Sequence, residues 1–214
     1  MDTYKHVRNE YRYGVLRKKD LKGDPIDQLN QWLDEALNSE VAEPTAMSLS
    51  TVDASGQPSS RIVLLKKIDK GGLVFFTHYE SRKGKELAEN PKASLLFFWP
   101  EQQRQIRVEG ECKKAGREVS GSYFSERPLE SRISAVISPQ SSIVPDREFL
   151  EKKFQDFQKR MHENEIQRPE FWGGYVLIPS KIEFWQGRTG RLHDRFLYQR
   201  DEKENKWKIN RLAP

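Results

Sequence analysis

Hydrophobic positions recur every three or four residues in the segment 24–38, which is the spacing of one face of an α-helix. Asp24 is placed to cap this helix, and Pro25 suits its first turn. The apolar face is predicted to consist of Ile26, Leu29, Trp32, Leu33, Ala36 and Leu37. The pattern therefore predicts an amphipathic helix near the start of the chain.

Beyond this helix the pattern is typical of strands, because short β-branched and aromatic runs are separated by Gly, Asp and Asn turns. About seven short strands are expected between residues 45 and 212, arranged largely as an antiparallel meander. Helices are predicted at 81–91, 117–128, 128–138 and 145–164, the last with an apolar stripe of Leu150, Phe154, Phe157 and Met161. The expected fold is mainly β with α, a small barrel covered by helices.

Residues 1–23 are basic and aromatic without a clear period, which predicts a flexible arm, and the length of 214 residues predicts a single domain over 24–214. A hydrophobic content of 36% suits a protein that completes its core in a dimer. The single cysteine, Cys112, excludes an intrachain disulfide, and the histidines show no metal-ligand spacing. Since no segment has the apolar character of a signal peptide or a membrane span, we expect a cytoplasmic protein without a membrane partner.

The formal net charge of +5 favours anionic partners, among which nucleic acid, nucleotide and phosphorylated metabolite all remain open. The segment "RIVLLKK" places a cation at the end of an apolar row on either face of a strand, with Arg61, Val63, Leu65 and Lys67 on one face, and an exposed strand end is the alternative interpretation of this segment. Arg82 and Lys83 follow a predicted cap at Ser81, where cations oppose the helix dipole. This conflict is resolved if an anion binds there, although both side chains reaching solvent is an equal alternative.

Tyr123, Arg127 and Ser131 are spaced by four residues, which would place them on one face of a continuous helix. Hydroxyl and guanidinium groups are apt phosphate ligands, but Pro128 interrupts the helix, so a solvated junction is an equal alternative. The segment "EFWQGRTGRLHDRFLYQRD" adds an aromatic and cationic stretch at 183–201. Two anion sites beside aromatic walls suggest a flat phosphorylated cofactor stacked on a flat phosphorylated substrate. No dinucleotide or P-loop motif is present.

These residues carry a resemblance to a known family. With "RIVLLK", "SRK", "ERPLES", "QSS", "FWGG", "IEFWQG", "RLHDRFLY" and the terminal "RLAP", the chain resembles the pyridoxine/pyridoxamine 5′-phosphate oxidases over nearly its whole length. The resemblance implies an FMN-binding split barrel and a homodimer with two active sites at its interface. Phe76 stands where related sequences often have Tyr, and Glu43 where Asp is common.

The resemblance also implies roles for individual residues. The cofactor-binding residues would be Arg61, Ile62, Val63, Leu64, Leu65, Lys66, Phe76, Thr77, Arg82, Lys83, Gln105, Gln140, Ser141, Trp185 and Arg195. The substrate phosphate would be held by Lys66, Tyr123, Arg127 and Ser131. The catalytic residues Arg191 and His193 would lie over the pyridine ring, and Arg8 and Tyr11 would close the site. No metal is expected, and Arg188 is expected to reach solvent.

The expected reaction is oxidation of pyridoxine 5′-phosphate or pyridoxamine 5′-phosphate to pyridoxal 5′-phosphate, with O2 as acceptor and H2O2 as product. In a strand, Arg191, His193 and Arg195 would share one face, with Arg195 directed to the flavin and the other two to the substrate. Two alternatives remain: a related flavin oxidase of the phenazine-pathway type, and a basic nucleic-acid-binding protein.

Overall fold

The computed structural model describes residues 10–69, 71–161, 166–201, 203–204 and 206–214. The helices are α1 (Pro25–Leu37), α2 (Arg82–Glu89), α3 (Arg117–Glu126), α4 (Leu129–Ile137) and α5 (Arg147–Arg160). The strands are β1 (Ala46–Val52), β2 (Pro58–Leu64), β3 (Lys67–Asp69), β4 (Gly72–His78), β5 (Lys92–Trp99), β6 (Arg104–Lys114), β7 (Trp172–Gln186), β8 (Asp194–Asp201) and β9 (Lys206–Arg211). Within the described ranges, no helix has the length and apolar character needed to cross a membrane.

The strands form one sheet in the order β2-β1-β5-β6-β7-β4-β3, with β8 paired to β7 and β9 paired to β8. The antiparallel register of β4 on β7 runs from Leu73 opposite Leu177 to His78 opposite Trp172. The β-rich prediction with inserted helices is therefore confirmed. The described residues form nine strands where about seven were expected, and the segment "RIVLLKK", expected to lie in one strand, is divided between β2 and β3.

The chain divides into two compact units, each described separately below. The first unit holds the residues up to Leu49 together with Ser94–Gly110 and Pro179–Pro214. The second unit holds Ser50–Ala93 and Glu111–Ile178. Strands β1, β5, β6 and β7 contribute residues to both. The single domain over 24–214 and the flexible arm over 1–23 stay predictions.

In the first unit, helix α1 provides the core face that its sequence pattern predicts. The Asp24 side chain caps the helix by accepting a hydrogen bond from Ile26 N at 2.7 Å. Leu29, Trp32, Leu33 and Ala36 are buried, and the Trp32 ring meets Phe184 of β7 edge-on with centroids 5.2 Å apart. Leu37 is 57% exposed, so its assignment to the apolar face was wrong. It is the last helical residue, where the helix has reached the end of the surface that it covers.

One hydrophobic cluster of the second unit consists of Phe124, Ile133, Ile166 and Trp172, which are all buried. Helix α5 packs against this cluster through Phe154 and Phe157, and both stay partly exposed. Met161 is 36% exposed and follows the last residue of α5, so the predicted stripe covers the core only in part.

The segment "RIVLLKK" is divided between two strands, because β2 ends at Leu64 and β3 begins at Lys67. The predicted alternation continues past the end of β2, since Arg61 and Val63 are partly buried, Leu65 is 7% exposed and the residues between them are exposed. Lys66 N donates a hydrogen bond to Val74 O at 2.9 Å. Lys67 is exposed, so the alternation stops there.

Gly84 of α2 lies against backbone that leaves no room for a side chain. A Cβ at this position would stand 2.0 Å from Tyr79 O and 2.8 Å from His78 O. We expect Gly84→Ala to lower the free energy of unfolding by about 1–3 kcal/mol, because overpacking outweighs the helix propensity of Ala. Gly121→Ala in α3 is the matched control, since its Cβ would meet nothing within 4 Å. Urea unfolding measures both, and a Gly84→Ala protein as stable as the Gly121→Ala protein would contradict the packing described.

Candidate active site

A cavity of about 920 Å³ opens in the second unit, within the size range of small-molecule sites, roughly 300–1,000 Å³. Its lining comes from β2, β4, α2, α3, α4, β7 and the loops that follow β2, α3 and α4. Among the described residues that line it, four are cationic, Arg61, Lys66, Lys83 and Arg127, and one, Glu126, is a carboxylate. The cavity is therefore suited to an anionic ligand.

The start of helix α2 forms one end of this cavity. Ser81 caps the helix, as predicted, with its Oγ accepting from Gly84 N at 3.4 Å. Lys83 is buried, and its Nζ donates to Gln140 Oε1 at 3.0 Å and to Thr77 Oγ1 at 3.1 Å. Three residues predicted to bind the cofactor, Lys83, Thr77 and Gln140, therefore form one hydrogen-bonded group.

The neutral surroundings of Lys83 change its titration. Burial first and the Arg61 charge second lower the pKa of Lys83, the Glu86 carboxylate opposes them, and together these effects bring the pKa to about 8. Its hydrogen-bond partners Thr77, Ser81 and Gln140 carry no charge. An ammonium held in this way gains from the arrival of an anion.

Arg61 and Arg82, also predicted to bind the cofactor, converge on Glu86 of α2. Arg61 Nη2 lies 3.1 Å from Glu86 Oε2, and Arg82 Nε lies 2.8 Å from Glu86 Oε1. Arg61 lines the cavity, whereas Arg82 is not among the described residues that line it, and its side chain is 58% exposed. Glu86 was not predicted from the sequence, although its i,i+4 spacing from Arg82 could have indicated an ion pair between the two residues.

The other residues of the second unit that were predicted to bind the cofactor fall into two groups, those that line the cavity and those that do not. Ile62, Val63, Leu64, Lys66, Phe76, Gln140 and Ser141 line the cavity. Leu65 is buried and is not among the described lining residues. Ser141 has a φ of 72°, a left-handed conformation that non-glycine residues adopt rarely and often at functional sites.

Tyr123, Arg127 and Ser131 line the same cavity even though the helix is interrupted between them. Helix α3 ends at Glu126, Arg127 has extended backbone, and α4 begins at Leu129. The break predicted at Pro128 is thus present, and the chain bend brings the three side chains together without a shared helical face. Arg127 and Ser131 are both partly buried at the cavity, whereas Pro128 between them is exposed.

The Arg127 guanidinium has an unusual environment. Its Nη1 atom is buried and has no hydrogen-bond partner among the residues that the structure describes. Burial lowers its pKa, and the guanidinium carbon lies 4.7 Å from the centre of the Trp172 ring. A buried donor without a partner is costly, so this atom is placed to receive an acceptor from a ligand.

Three nearly parallel aromatic rings stand beside Arg127. Phe76 stacks on Tyr123 with centroids 4.0 Å apart and on Trp172 with centroids 5.6 Å apart. Trp172 and His78 line the cavity and were not assigned a role from the sequence. The aromatic residue before the glycine pair in "FWGG" was the available signal for Trp172.

In the first unit, the segment "RLHDR" is not the continuous strand that was predicted. Thr189–Arg191 forms a 3₁₀ turn, with Gly190 at φ 63° and Arg191 at φ 61°. Strand β8 begins only at Asp194, so of the three alternating residues Arg195 alone lies in a strand. The prediction of one shared face was wrong, because left-handed residues turn the chain instead of extending it.

His193 nevertheless belongs to an aromatic cluster in this unit. Its ring centroid lies 4.6 Å from Trp185 and 5.7 Å from Tyr11, and Tyr11 meets Trp185 edge-on at 5.5 Å. His193 Nδ1 accepts a hydrogen bond from Arg188 N at 3.1 Å, so the neutral ring carries its proton on Nε2. Burial lowers the pKa of His193, as do the charges of Arg191 and Arg195. The predicted partner of Tyr11, Arg8, lies outside the described residues.

Two buried carboxylates, Glu183 and Asp194, form ion pairs with Arg195 and Arg188 of this unit. Glu183 Oε1 accepts from Arg195 Nε at 2.6 Å, and Arg195 Nη1 also donates to Ala213 O at 2.8 Å. Arg188 Nη1 pairs with Asp194 at 2.8 Å, so the expectation that Arg188 reaches solvent was wrong. A buried carboxylate needs such a partner.

Arg191, in contrast, is exposed, and Gln105 is partly buried on β6. The predicted site residues are thus divided between the two units. Tyr11, Gln105, Trp185, Arg191, His193 and Arg195 belong to the first unit, and the cavity residues belong to the second.

Comparison with known families gives two matches. Residues 33–160 match the family described as pyridoxamine 5′-phosphate oxidase. Residues 172–214 match the family described as the pyridoxine 5′-phosphate oxidase C-terminal dimerisation region. The second match supports the expected homodimer.

Curated relatives agree with these matches over the whole chain. A pyridoxine/pyridoxamine 5′-phosphate oxidase of Burkholderia mallei is 51% identical and is covered over 100% of both chains. One from Leptospira interrogans is 49% identical and is covered over 97% of both chains.

Solved structures share the fold. PhzG from Burkholderia lata, in complex with tetrahydrophenazine-1-carboxylic acid, is 34% identical with a TM-score of 0.86, over 94% of this chain and 98% of that chain. An FMN-binding, pyridoxamine 5′-phosphate oxidase-related protein of Nostoc punctiforme is 17% identical with a TM-score of 0.72, over 89% of this chain and 98% of that chain. The expected split-barrel fold is confirmed.

The high sequence identity with named oxidases, over the full length of the chain, establishes that the protein is an oxidase. Its family makes FMN its cofactor. The cationic cavity of the second unit agrees with a phosphorylated cofactor. The chain belongs to the pyridoxamine 5′-phosphate oxidase family.

Proposed function

We propose that the protein oxidises pyridoxine 5′-phosphate or pyridoxamine 5′-phosphate to pyridoxal 5′-phosphate, with O2 as acceptor and H2O2 as product. The observation that carries the proposal is the buried Arg127 Nη1, which has no protein partner within the described ranges and lies in a cavity lined also by Tyr123 and Ser131. A guanidinium and two hydroxyls are the ligands that a phosphate monoester requires.

The residues of the cavity fit FMN. Lys83 and Arg61 supply positive charge where helix α2 begins, which is the place for the cofactor phosphate. Thr77, Gln140 and the β2 residues from Arg61 to Leu64 would hold the rest of the molecule, partly through backbone groups. When bound, FMN supplies the redox chemistry by accepting a hydride from the C4′ carbon and passing electrons to O2.

The protein itself acts by binding and orientation. Lys66, Tyr123, Arg127 and Ser131 hold the substrate phosphate and so fix the distance of C4′ from the cofactor. The stacked Phe76, Tyr123 and Trp172 form an apolar wall that excludes water beside Arg127. None of these residues needs to form a covalent bond with the substrate.

We further propose that the site is completed across the homodimer. Trp185, Arg191, His193 and Arg195 all lie within the matched dimerisation region, residues 172–214, which supports a role at a subunit interface. Trp185, Arg195 and Gln105 would contact the cofactor, and Arg191 and His193 the pyridine ring. Arg191 is exposed, as a residue that serves a neighbouring subunit would be. Arg8 and Tyr11 would close the site, and Tyr11 already touches Trp185 and His193.

A phenazine-type substrate is the second candidate, favoured by the 34% identity with PhzG. It predicts oxidation of a tricyclic carboxylic acid instead of a B6 phosphate. The phosphate-binding set of Tyr123, Arg127 and Ser131 supports the B6 assignment. The four cations that converge in one cavity also support a small phosphorylated ligand over a nucleic acid, whose backbone is bound on open surfaces.

The first test removes the phosphate anchor by Arg127→Ala. We expect kcat/KM for pyridoxine 5′-phosphate to fall roughly ten- to a hundredfold, because a charge-assisted contact is lost. This corresponds to a loss of about 1.5–3 kcal/mol in transition-state stabilisation. The value for unphosphorylated pyridoxine should hardly change, and bound FMN should stay near the wild-type content. Arg147→Ala, at an exposed arginine of α5, is the matched control. Equal losses for both substrates, or a tricyclic carboxylic acid as the better substrate, would overturn the assignment.

The second test uses the lowered pKa of Lys83, which is about 8. Lys83 binds phosphate in its protonated form, so FMN affinity should be highest below pH 8 and should fall as the pH rises through this value. The decline should approach about tenfold per pH unit until the pKa of the complex is reached. Fluorescence quenching of FMN, followed from about pH 7, where a phosphate monoester is largely a dianion, measures the effect. Lys83→Gln should bind more weakly and lack this step, and a wild-type affinity independent of pH would refute the role of Lys83.

A further inference from the structure

We propose that Glu86 is a positioning residue that orients the Arg61 and Arg82 guanidinium groups toward the phosphate of the cofactor. This inference rests on the proposed function, which places that phosphate at the start of helix α2. Glu86 does not line the cavity itself, as judged from the described lining residues, and therefore acts through its neighbours.

The carboxylate of Glu86 is enclosed and fully engaged. Its side chain is 4% exposed. Oε2 accepts from Thr51 Oγ1 and from Arg61 Nη2, and Oε1 accepts from Arg82 Nε at 2.8 Å. Ser59 Oγ lies within 2.9 Å of both oxygens. Each oxygen thus holds one guanidinium, while two hydroxyl groups fix the carboxylate.

These contacts tie three elements together. Thr51 belongs to β1, Ser59 and Arg61 belong to β2, and Arg82 and Glu86 stand one turn apart on α2. Arg61 Nη1 also donates to Thr51 Oγ1, so the arginine is held by the same hydroxyl that binds the carboxylate. A long arginine side chain has many rotamers, and ordering it before the ligand arrives reduces the entropic cost of binding.

The charges of this group match the ligand. Arg61, Arg82 and Lys83 together carry three positive charges, and Glu86 offsets one of them. Burial would raise the pKa of Glu86, but hydrogen bonds from Thr51, Ser59, Arg82 and Arg61 outweigh it and lower the pKa to about 2. Glu86 is therefore ionised at neutral pH. The two remaining positive charges balance the two negative charges of a phosphate monoester dianion.

Glu86→Gln tests the proposal with little change in shape. A carboxylate accepts from every donor around it, whereas an amide presents an NH2 group to some of them. We expect at least one guanidinium to lose its orientation, and the ratio of FMN affinity to riboflavin affinity to fall at least about tenfold. Riboflavin lacks the phosphate, so its own affinity should change little. Both dissociation constants are measured by fluorescence quenching of the flavin at equal ionic strength.

Two further variants separate placement from charge and from folding. Glu89→Gln removes a carboxylate from an exposed position of the same helix and should leave the affinity ratio unchanged. Glu86→Asp keeps the charge but draws the carboxylate back by one methylene, and it should also lower the ratio. Thermal unfolding followed by circular dichroism shows that each variant is folded at the temperature of the titration. If Glu86→Gln is unfolded, Glu86→Asp decides the matter alone.

The outcomes distinguish this inference from the proposed function. A wild-type protein that binds riboflavin as tightly as FMN would refute the phosphate site itself. A wild type that prefers FMN, with Glu86→Gln and Glu86→Asp proteins that keep the preference, would overturn only the role of Glu86. A higher ratio in Glu86→Gln would also overturn it, since the carboxylate would then compete with the phosphate instead of positioning its ligands.

Discussion

The repulsion among four cations that line one cavity is the constraint on which the rest of the site depends. Two like charges 4 Å apart repel by about 1 kcal/mol in water and by about 4 kcal/mol at an effective dielectric constant of 20. The protein meets this cost differently at three of these cations. Arg61 shares the Glu86 carboxylate, Lys83 lies among neutral acceptors with a lowered pKa, and Arg127 lies over the Trp172 ring. An anionic ligand completes the arrangement.

The features that depend on local sequence were predictable. Asp24 and Ser81 cap their helices as expected, because an N-cap is decided within a few residues. Cations in the first turn of α2 were a local conflict with the helix dipole, and the conflict indicated an anion site. The spacing of Tyr123, Arg127 and Ser131 predicted a second anion site, and the three side chains line one cavity through a bend in the chain and not along one helix. Both anion sites stay predictions.

The features that depend on distant residues were not predictable. Glu86 of helix α2 meets Thr51 of β1 and Arg61 of β2, and Arg188 meets a carboxylate whose burial no spacing indicates. The strand predicted through "RLHDR" failed because period-two alternation cannot report a left-handed φ at Arg191. The end of β2 at Leu64 was also not predicted, since a break between β2 and β3 leaves no mark on the hydrophobic pattern. The relation of the first-unit residues to the cavity came only from the resemblance.

The central claim is that the cavity holds FMN and a B6 phosphate together in reacting geometry. Anaerobic mixing of the FMN-loaded protein with pyridoxine 5′-phosphate, followed by the visible absorbance of the flavin, tests it most directly. The account predicts that the flavin is bleached in a single turnover, that one pyridoxal 5′-phosphate forms per FMN, and that admitted O2 restores the colour. A flavin that keeps its spectrum while pyridoxine 5′-phosphate is bound would contradict the account.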